Sequence, residues 1–287
     1  MPRISSRTSV EPALQATSRH RTRARLDGLV DSHCHLQDPA FDADREAVIG
    51  RAVEAGIERI LVPGYDLASS RAAVALAGQH PELIDAAVGV HPHFSDAPSE
   101  ADWDELAALA ADARVVAVGE IGLDFHRDRS PREAQRAALE RQLAMAAAAG
   151  KPVLVHDRDA HDEALAALLG WVGPGSGRLR GVLHCFSGNA ALAEALAAGG
   201  YLISFALPVT FSSAVGPRAA AAALPEGSYL VETDSPWLAP GGGEQRNEPT
   251  TALRVATELA RLRGSSPEAV AADVAAAYRA LVWRLRC

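Results

Sequence analysis

Eight short apolar runs rich in Val, Ile and Leu alternate along this chain with longer, amphipathic, alanine-rich stretches. The runs are Leu29 to His35, Ile57 to Pro63, Ile84 to His91, Val115 to Gly122, Pro152 to His156, Gly181 to Cys185, Tyr201 to Phe205 and Ser228 to Thr233. Such alternation predicts βα units, and near-continuous apolar strands belong to a parallel sheet buried on both faces. The count of eight, with no glycine-rich dinucleotide loop after the first run, favours an α/β fold of the TIM (β/α)8 barrel type over an open doubly wound sheet. One barrel then accounts for residues 28–287, and residues 1–27 lie outside it.

Helix boundaries have local support. Asp42 to Ala55 opens on acids and ends at Gly56, where a C-capping glycine belongs. Ser130 reads as an N-cap with Pro131 at the first helical position, and that helix stops at Gly150. Pro267 to Leu285 reads as a last helix outside the barrel, and Ala239 to Glu248 as the loop after strand eight. Only 5% of the residues are aromatic, so the core must be aliphatic.

Residues 1–26 differ in character, with Arg3, Arg7, Arg19, Arg21, Arg23 and Arg25 against the single acid Glu11. No apolar h-region follows these charges, so a signal peptide is not expected. The segment reads as a disordered extension, the alternative being a nucleic-acid-binding arm. The net charge of −8 argues against a broad basic face coating nucleic acid, although not against a nuclease that grips a few phosphates through cations. Three cysteines (Cys34, Cys185 and Cys287) without a CxxC pair point to a reducing, cytoplasmic setting. No apolar run is long enough to span a membrane, and no obligate protein partner is expected.

Position is what makes the ionisable residues informative. The first run ends Asp31-Ser32-His33-Cys34-His35, and the period of a strand puts Asp31, His33 and His35 on one face. Glu120 closes the fourth run, His156 the fifth, His184 the sixth, and Asp234 follows the eighth. A lone strand-end histidine is usually a hydrogen-bonded core residue, and an Asp there a turn former. Five strands ending this way at the catalytic mouth of a barrel would bury an uncompensated set of charges unless a cation bound them. Cys34 and Cys185 alternate away from the mouth, which leaves a nitrogen and oxygen donor set suited to zinc, manganese or iron, and rich enough in carboxylate to hold magnesium as well. Six candidates (His33, His35, Glu120, His156, His184 and Asp234) exceed the three of a single catalytic zinc. Two divalent ions bridged by Glu120 are the economical expectation. His91 and His93 also lie at the mouth, His126 could reach the rim, and His20, His80 and His161 read as surface residues.

These residues resemble the TatD family of metal-dependent deoxyribonucleases, amidohydrolase-like barrels, over Val30 to the C-terminal helix. The motifs are Asp31-Ser32-His33-Cys34-His35-Leu36, Gly89-Val90-His91-Pro92-His93, Gly119-Glu120-Ile121-Gly122-Leu123-Asp124, Val155-His156, His184-Cys185-Phe186-Ser187-Gly188, Glu232-Thr233-Asp234-Ser235-Pro236 and Arg246-Asn247-Glu248-Pro249. The family's ligands fall on the same six residues. The resemblance implies a 3′-to-5′ exonuclease acting on ends of single-stranded DNA, sometimes RNA, with a divalent ion. Two departures stand out: the N-terminal 27 residues have no counterpart, and Asp157 follows the strand-five histidine at a variable position.

In this reading His33, His35 and Asp234 hold one ion, His156 and His184 the other, and Asp234 orients a water and accepts its proton. His91 touches substrate or leaving group. Arg127, Arg158 and Arg246 could fork onto phosphate or sit in ion pairs with Asp124, Asp128 or Glu248. Phe125 and Trp237 could stack a base or pack beneath a loop. The competing enzyme is an amide, lactone or ester hydrolase, including deacylation of D-aminoacyl-tRNA. Related barrels of that kind often bridge their metals with a carboxylated lysine. Here the only lysine, Lys151, starts strand five at the opposite end. A non-catalytic binding protein is a third class, opposed by the intact ligand set.

Overall fold

A computed structural model describes residues 25–175, 177, 179–241 and 245–282; the expected N-terminal extension lies almost wholly outside them. Eight parallel strands follow one another in chain order around a single sheet. They are β1 Leu29–Asp31, β2 Ile57–Pro63, β3 Ile84–Val88, β4 Val115–Asp124, β5 Val153–Arg158, β6 Gly181–Leu183, β7 Tyr201–Phe205 and β8 Tyr229–Val231. The ends meet beyond β8, where Ser32 N–H donates to Val231 O at 3.0 Å and Asp234 N–H to His33 O at 2.9 Å. Thr233 adds two further bonds, from its N–H and its hydroxyl, to the Asp31 carboxylate at 3.0 and 2.7 Å. The expected TIM barrel is thus formed, and its seam runs beside the residues that motivated it.

Helices α1 Arg45–Glu54, α2 Leu67–Gln79, α3 Glu100–Ala110, α4 Arg132–Ala149, α5 His161–Gly170, α6 Ala190–Ala198, α7 Val215–Ala223, α8 Ala252–Arg263 and α9 Pro267–Val282 lie around the strands. None is long and apolar enough to cross a membrane. Capping boxes start α2 (Asp66 with Ser69) and α3 (Ser99 with Asp102), each satisfying two otherwise unpaired backbone donors. Gly150 ends α4 in the left-handed region at φ 64°, as its place in the sequence implied.

Two helix starts differ from expectation. The first helix begins at Arg45, because Pro39–Phe41 forms a separate 3-10 turn and Asp44 spends its carboxylate on Arg246 and Arg51 instead of a cap. Before α4, the Ser130 hydroxyl bonds Asp96 at 2.7 Å, and Pro131 itself occupies the cap position. Strands β1, β6 and β8 are shorter than their apolar runs, since the chain leaves the ladder at the residues that turn towards the mouth.

Helix α4 is tied to the sheet by polar contacts that the periodicity does not reveal. The buried Gln142 side chain accepts from Val90 N–H at 2.7 Å and donates to Val90 O at 3.1 Å. Gln135, also buried, accepts from Asp124 N–H at 2.9 Å and donates to Asp124 O at 3.2 Å. Each amide stands in for a neighbouring strand where β3 and β4 run out, and so fixes the backbone leading into the mouth. Replacing Gln142 with Leu would strand both polar groups of Val90, at a cost of about 1–3 kcal/mol per unsatisfied group. A clearly lowered urea midpoint with unchanged slope is the expected result, read by circular dichroism.

Candidate metal centre

Glu120, within β4 and four residues before its last residue Asp124, is 4% exposed and sits at the middle of the barrel mouth. Its backbone lies close against β5: at Gly122, with φ 143°, an added Cβ would fall 1.9 Å from His156 O. Only glycine permits that approach, and it brings the β4 and β5 side chains to one point.

The two oxygens of Glu120 face different neighbours. Oε2 lies 3.3 Å from His33 Nε2 and 3.6 Å from His35 Nε2. Oε1 lies 2.9 Å from His184 Nε2 and 3.1 Å from His156 Nδ1. Asp234 completes the first cup, its Oδ1 3.8 Å from His33 Nε2 and 3.6 Å from His35 Nε2. All six residues singled out from the sequence therefore converge. The His33–His35–Asp234, His33–Glu120–His184 and His91–Glu120–His156 trios each bring their donor atoms within 4.8 Å of one another.

These donors fit divalent cations. His33 Nε2 and His35 Nε2 point at each other across 2.9 Å, as do His156 Nδ1 and His184 Nε2 across 3.1 Å. Two imidazole nitrogens so placed need either a shared proton or a cation that takes both lone pairs. Their outer nitrogens help to set the tautomers. His35 Nδ1 faces Pro63 O at 3.1 Å, so it carries the proton and turns a free Nε2 lone pair inward. His184 Nδ1 is backed by Glu232 Oε1 at 3.4 Å, and His156 Nε2 by Asp124 Oδ2 at 3.5 Å. Those two contacts are charge proximities and not formed hydrogen bonds, and His33 Nδ1, His156 Nε2 and His184 Nδ1 are all buried without a hydrogen-bond partner.

His91 has the opposite polarity. Its Nδ1 accepts from His93 N–H at 3.1 Å, which leaves the proton of the neutral ring on Nε2, 3.4 Å from Glu120 Oε1. His91 thus presents a donor to the centre, although distance alone would admit it as a ligand.

Charge at the centre is unevenly matched. Burial alone would raise the Glu120 carboxyl, but the imidazoles of His184, His91 and His33 hold it well below the usual carboxylate range. Burial opposes charge on His184, yet Glu120 and Glu232 overcome it and lift that ring well above an ordinary histidine. Burial, then the neighbouring His184, lowers His33. Without a cation, a proton on His184 compensates Glu120.

The remaining expectations divide. A cavity of about 500 Å³ over the centre is bordered by Arg127 and Arg158 and also by Arg129, Tyr65 and Phe94, which the sequence reading did not single out. Arg246 is instead held by Asp44 at 2.6 Å and Glu248 at 3.2 Å, with its guanidinium 4.6 Å from the centre of the Phe41 ring. It borders an adjoining groove. Phe125 packs against the core beneath Arg132, whereas Trp237 stands exposed with its ring 4.6 Å from that of His35. His93 is bound to Asp124 at 2.8 Å, and His126 to Asp159 at 2.9 Å. His80 pairs with Glu46 and His161 with Asp157. Asp124 and Glu232 were missed as supports of the site because each is recognisable only by what it touches; a carboxylate two residues before Asp234 was the one available signal for Glu232.

Comparison with known proteins agrees with this geometry. Residues 30–282 match the family described as TatD-related DNase. An uncharacterized metal-dependent hydrolase of Bacillus subtilis, YabD, is 35% identical over 85% of this chain and 94% of its own length. The 3′-5′ ssDNA/RNA exonuclease TatD of Enterobacter lignolyticus is 36% identical, covering 84% of this chain and 93% of its own. The crystal structure of the TatD homologue YjjV from Escherichia coli superposes with a TM-score of 0.83 at 34% identity, over 89% of this chain and 98% of that one. The chain belongs to the TatD-related DNase family and is a metal-dependent hydrolase.

Proposed function

We propose that the protein is a phosphodiesterase that removes nucleotides from ends of single-stranded DNA or RNA in the 3′-to-5′ direction. The observation that carries the reading is the divided carboxylate of Glu120, with one oxygen towards each cup of donors. His33, His35 and Asp234 would hold one divalent ion and His156 with His184 the other, Glu120 being shared. Magnesium, manganese and zinc all suit such donors. When bound, the ions supply charge neutralisation at the phosphate and make a water easier to deprotonate.

The chain's own groups perform the rest. Asp234, partly open to the cavity, orients the attacking water and takes its proton as the new oxygen–phosphorus bond forms. The ester oxygen leaves as its bond to phosphorus breaks, and the Nε2 proton of His91 is available to it. Arg127, Arg129 and Arg158 border the same cavity and offer donors to phosphate oxygens. Glu232 and Asp124 keep the imidazoles aligned. A cytoplasmic setting suits the free thiols of Cys34 and Cys185. Ester hydrolysis at the end of a tRNA would use the same water, but Glu120 at the bridging position and a cavity edged by arginines favour the phosphodiester.

Asp234→Asn should lower kcat on a single-stranded oligonucleotide by about 10²- to 10⁴-fold, the usual range for a lost general base, with metal content retained. A wild-type rate in a metal-loaded variant would remove Asp234 from the base role. Glu120→Ala should lower bound metal to one equivalent or less, measured by elemental analysis; full occupancy would count against a shared ligand. After chelation, restoring divalent ions one at a time should restore cleavage of single-stranded DNA or RNA. Activity confined to an ester or lactone would sink the nuclease reading.

A further inference from the structure

We infer that the groove beside the centre, between Trp237 and Phe211, is a stacking subsite for one unpaired nucleobase flanking the scissile phosphate. The inference rests on the phosphodiesterase reading above and extends it to the way the strand lies. The groove, of about 600 Å³, shares Trp237 and Leu238 with the cavity over the metal centre, so the two are continuous. Leu207, Pro208 and Pro236 add apolar wall.

Two surface distributions carry the argument. Among the described residues, three aromatic side chains stand out as exposed: Phe94 at 37%, Phe211 at 48% and Trp237 at 46%. All three border the cavity or the groove. Exposing them is unfavourable in water, and in a chain with so few aromatic residues their gathering on one rim calls for a planar ligand. Phe94 and Tyr65 stack with ring centres 5.9 Å apart, and Tyr65 continues to Trp237 at 6.4 Å. This ledge starts against His35, whose ring lies 4.6 Å from Trp237.

Charge is distributed the other way. Arg127, Arg129 and Arg158 border the cavity on the β4 and β5 side, and none has a carboxylate within ion-pair distance among the described residues. In the groove, the cation Arg246 is already neutralised by Asp44 and Glu248, and Asp38 adds an acid. Phosphate is therefore drawn to the arginine side and disfavoured in the groove, while an uncharged aromatic base is accepted there. A base can enter only when it is free of a complementary strand, which ties the groove to single-stranded substrates.

The test uses metal-loaded full-length protein and end-labelled oligonucleotides carrying an abasic residue at each of the last four positions in turn. In the wild type, one position should show a rise in KM of about tenfold, the scale of a lost base–aromatic stack. Phe211→Ala should show the same rise on the intact oligonucleotide with kcat within about twofold, and no further rise at that abasic position. Phe211→Tyr should restore the wild-type KM. Equal KM at all abasic positions, or an unchanged KM in Phe211→Ala, overturns the subsite while leaving the nuclease reading in place. A Phe211→Ala protein that sediments at half the wild-type mass also overturns it, assigning the groove to a second copy of the chain. If the wild type neither binds nor cleaves any oligonucleotide, both readings fall together.

Discussion

A carboxylate enclosed by five imidazoles sets the terms for this molecule. Glu120 is nearly inaccessible to solvent, and His33, His35, His91, His156 and His184 stand within 3.6 Å of one of its oxygens. Removing an ion from water costs several kcal/mol even after relaxation, so the barrel tolerates this arrangement only by supplying compensating charge. In the protein alone that charge is a proton on histidine. The family to which the chain belongs supplies a metal.

Everything beneath the centre serves to keep those nitrogens aimed. The seam between β1 and β8 is closed by Asp31 and Thr233 directly below the first cup. Glu232 accepts from Cys185 N–H at 2.6 Å while backing His184, which couples the turn after β6 to the residues following β8. Asp124 receives Arg127 N–H and His126 N–H as well as His93, and against the effect of burial it is His156, then Arg127 N–H and His93, that hold its carboxyl in the charged form. Groups outside the two cups thereby determine where the donor atoms within them point.

The barrel was legible because strands buried on both faces leave a period in the sequence, and the donors were legible because each interrupts or ends such a run. His91 lines the cavity at the mouth, but which of its nitrogens carries the proton depends on a backbone N–H two residues away, whose direction no pattern of residue types encodes. Arg246 and Arg129 show the other limit. Arg246 follows a ligand-bearing strand yet meets Asp44, about two hundred residues earlier, whereas Arg129, in no recognised motif, faces the cavity. Gln135 and Gln142 resembled ordinary helix formers, since burial and not amide chemistry was what periodicity could report. The helix expected from Asp42 starts later, at Arg45, because Pro39–Phe41 forms its own turn and Asp44 pairs with Arg51 and the distant Arg246 instead of capping.

Helix α4 contributes no side chain to the cavity, yet its two glutamines grip the outgoing ends of β3 and β4 two helical turns apart. The helix is in effect a spacer of fixed length, holding the segment that bears His91 at a set separation from the one that bears Asp124. Any force that slid α4 along its axis would move both segments in register and would not detune one alone. Circular permutation or surface redesign can therefore treat most of the outer ring as packaging, but α4 has to be inherited together with the chemistry.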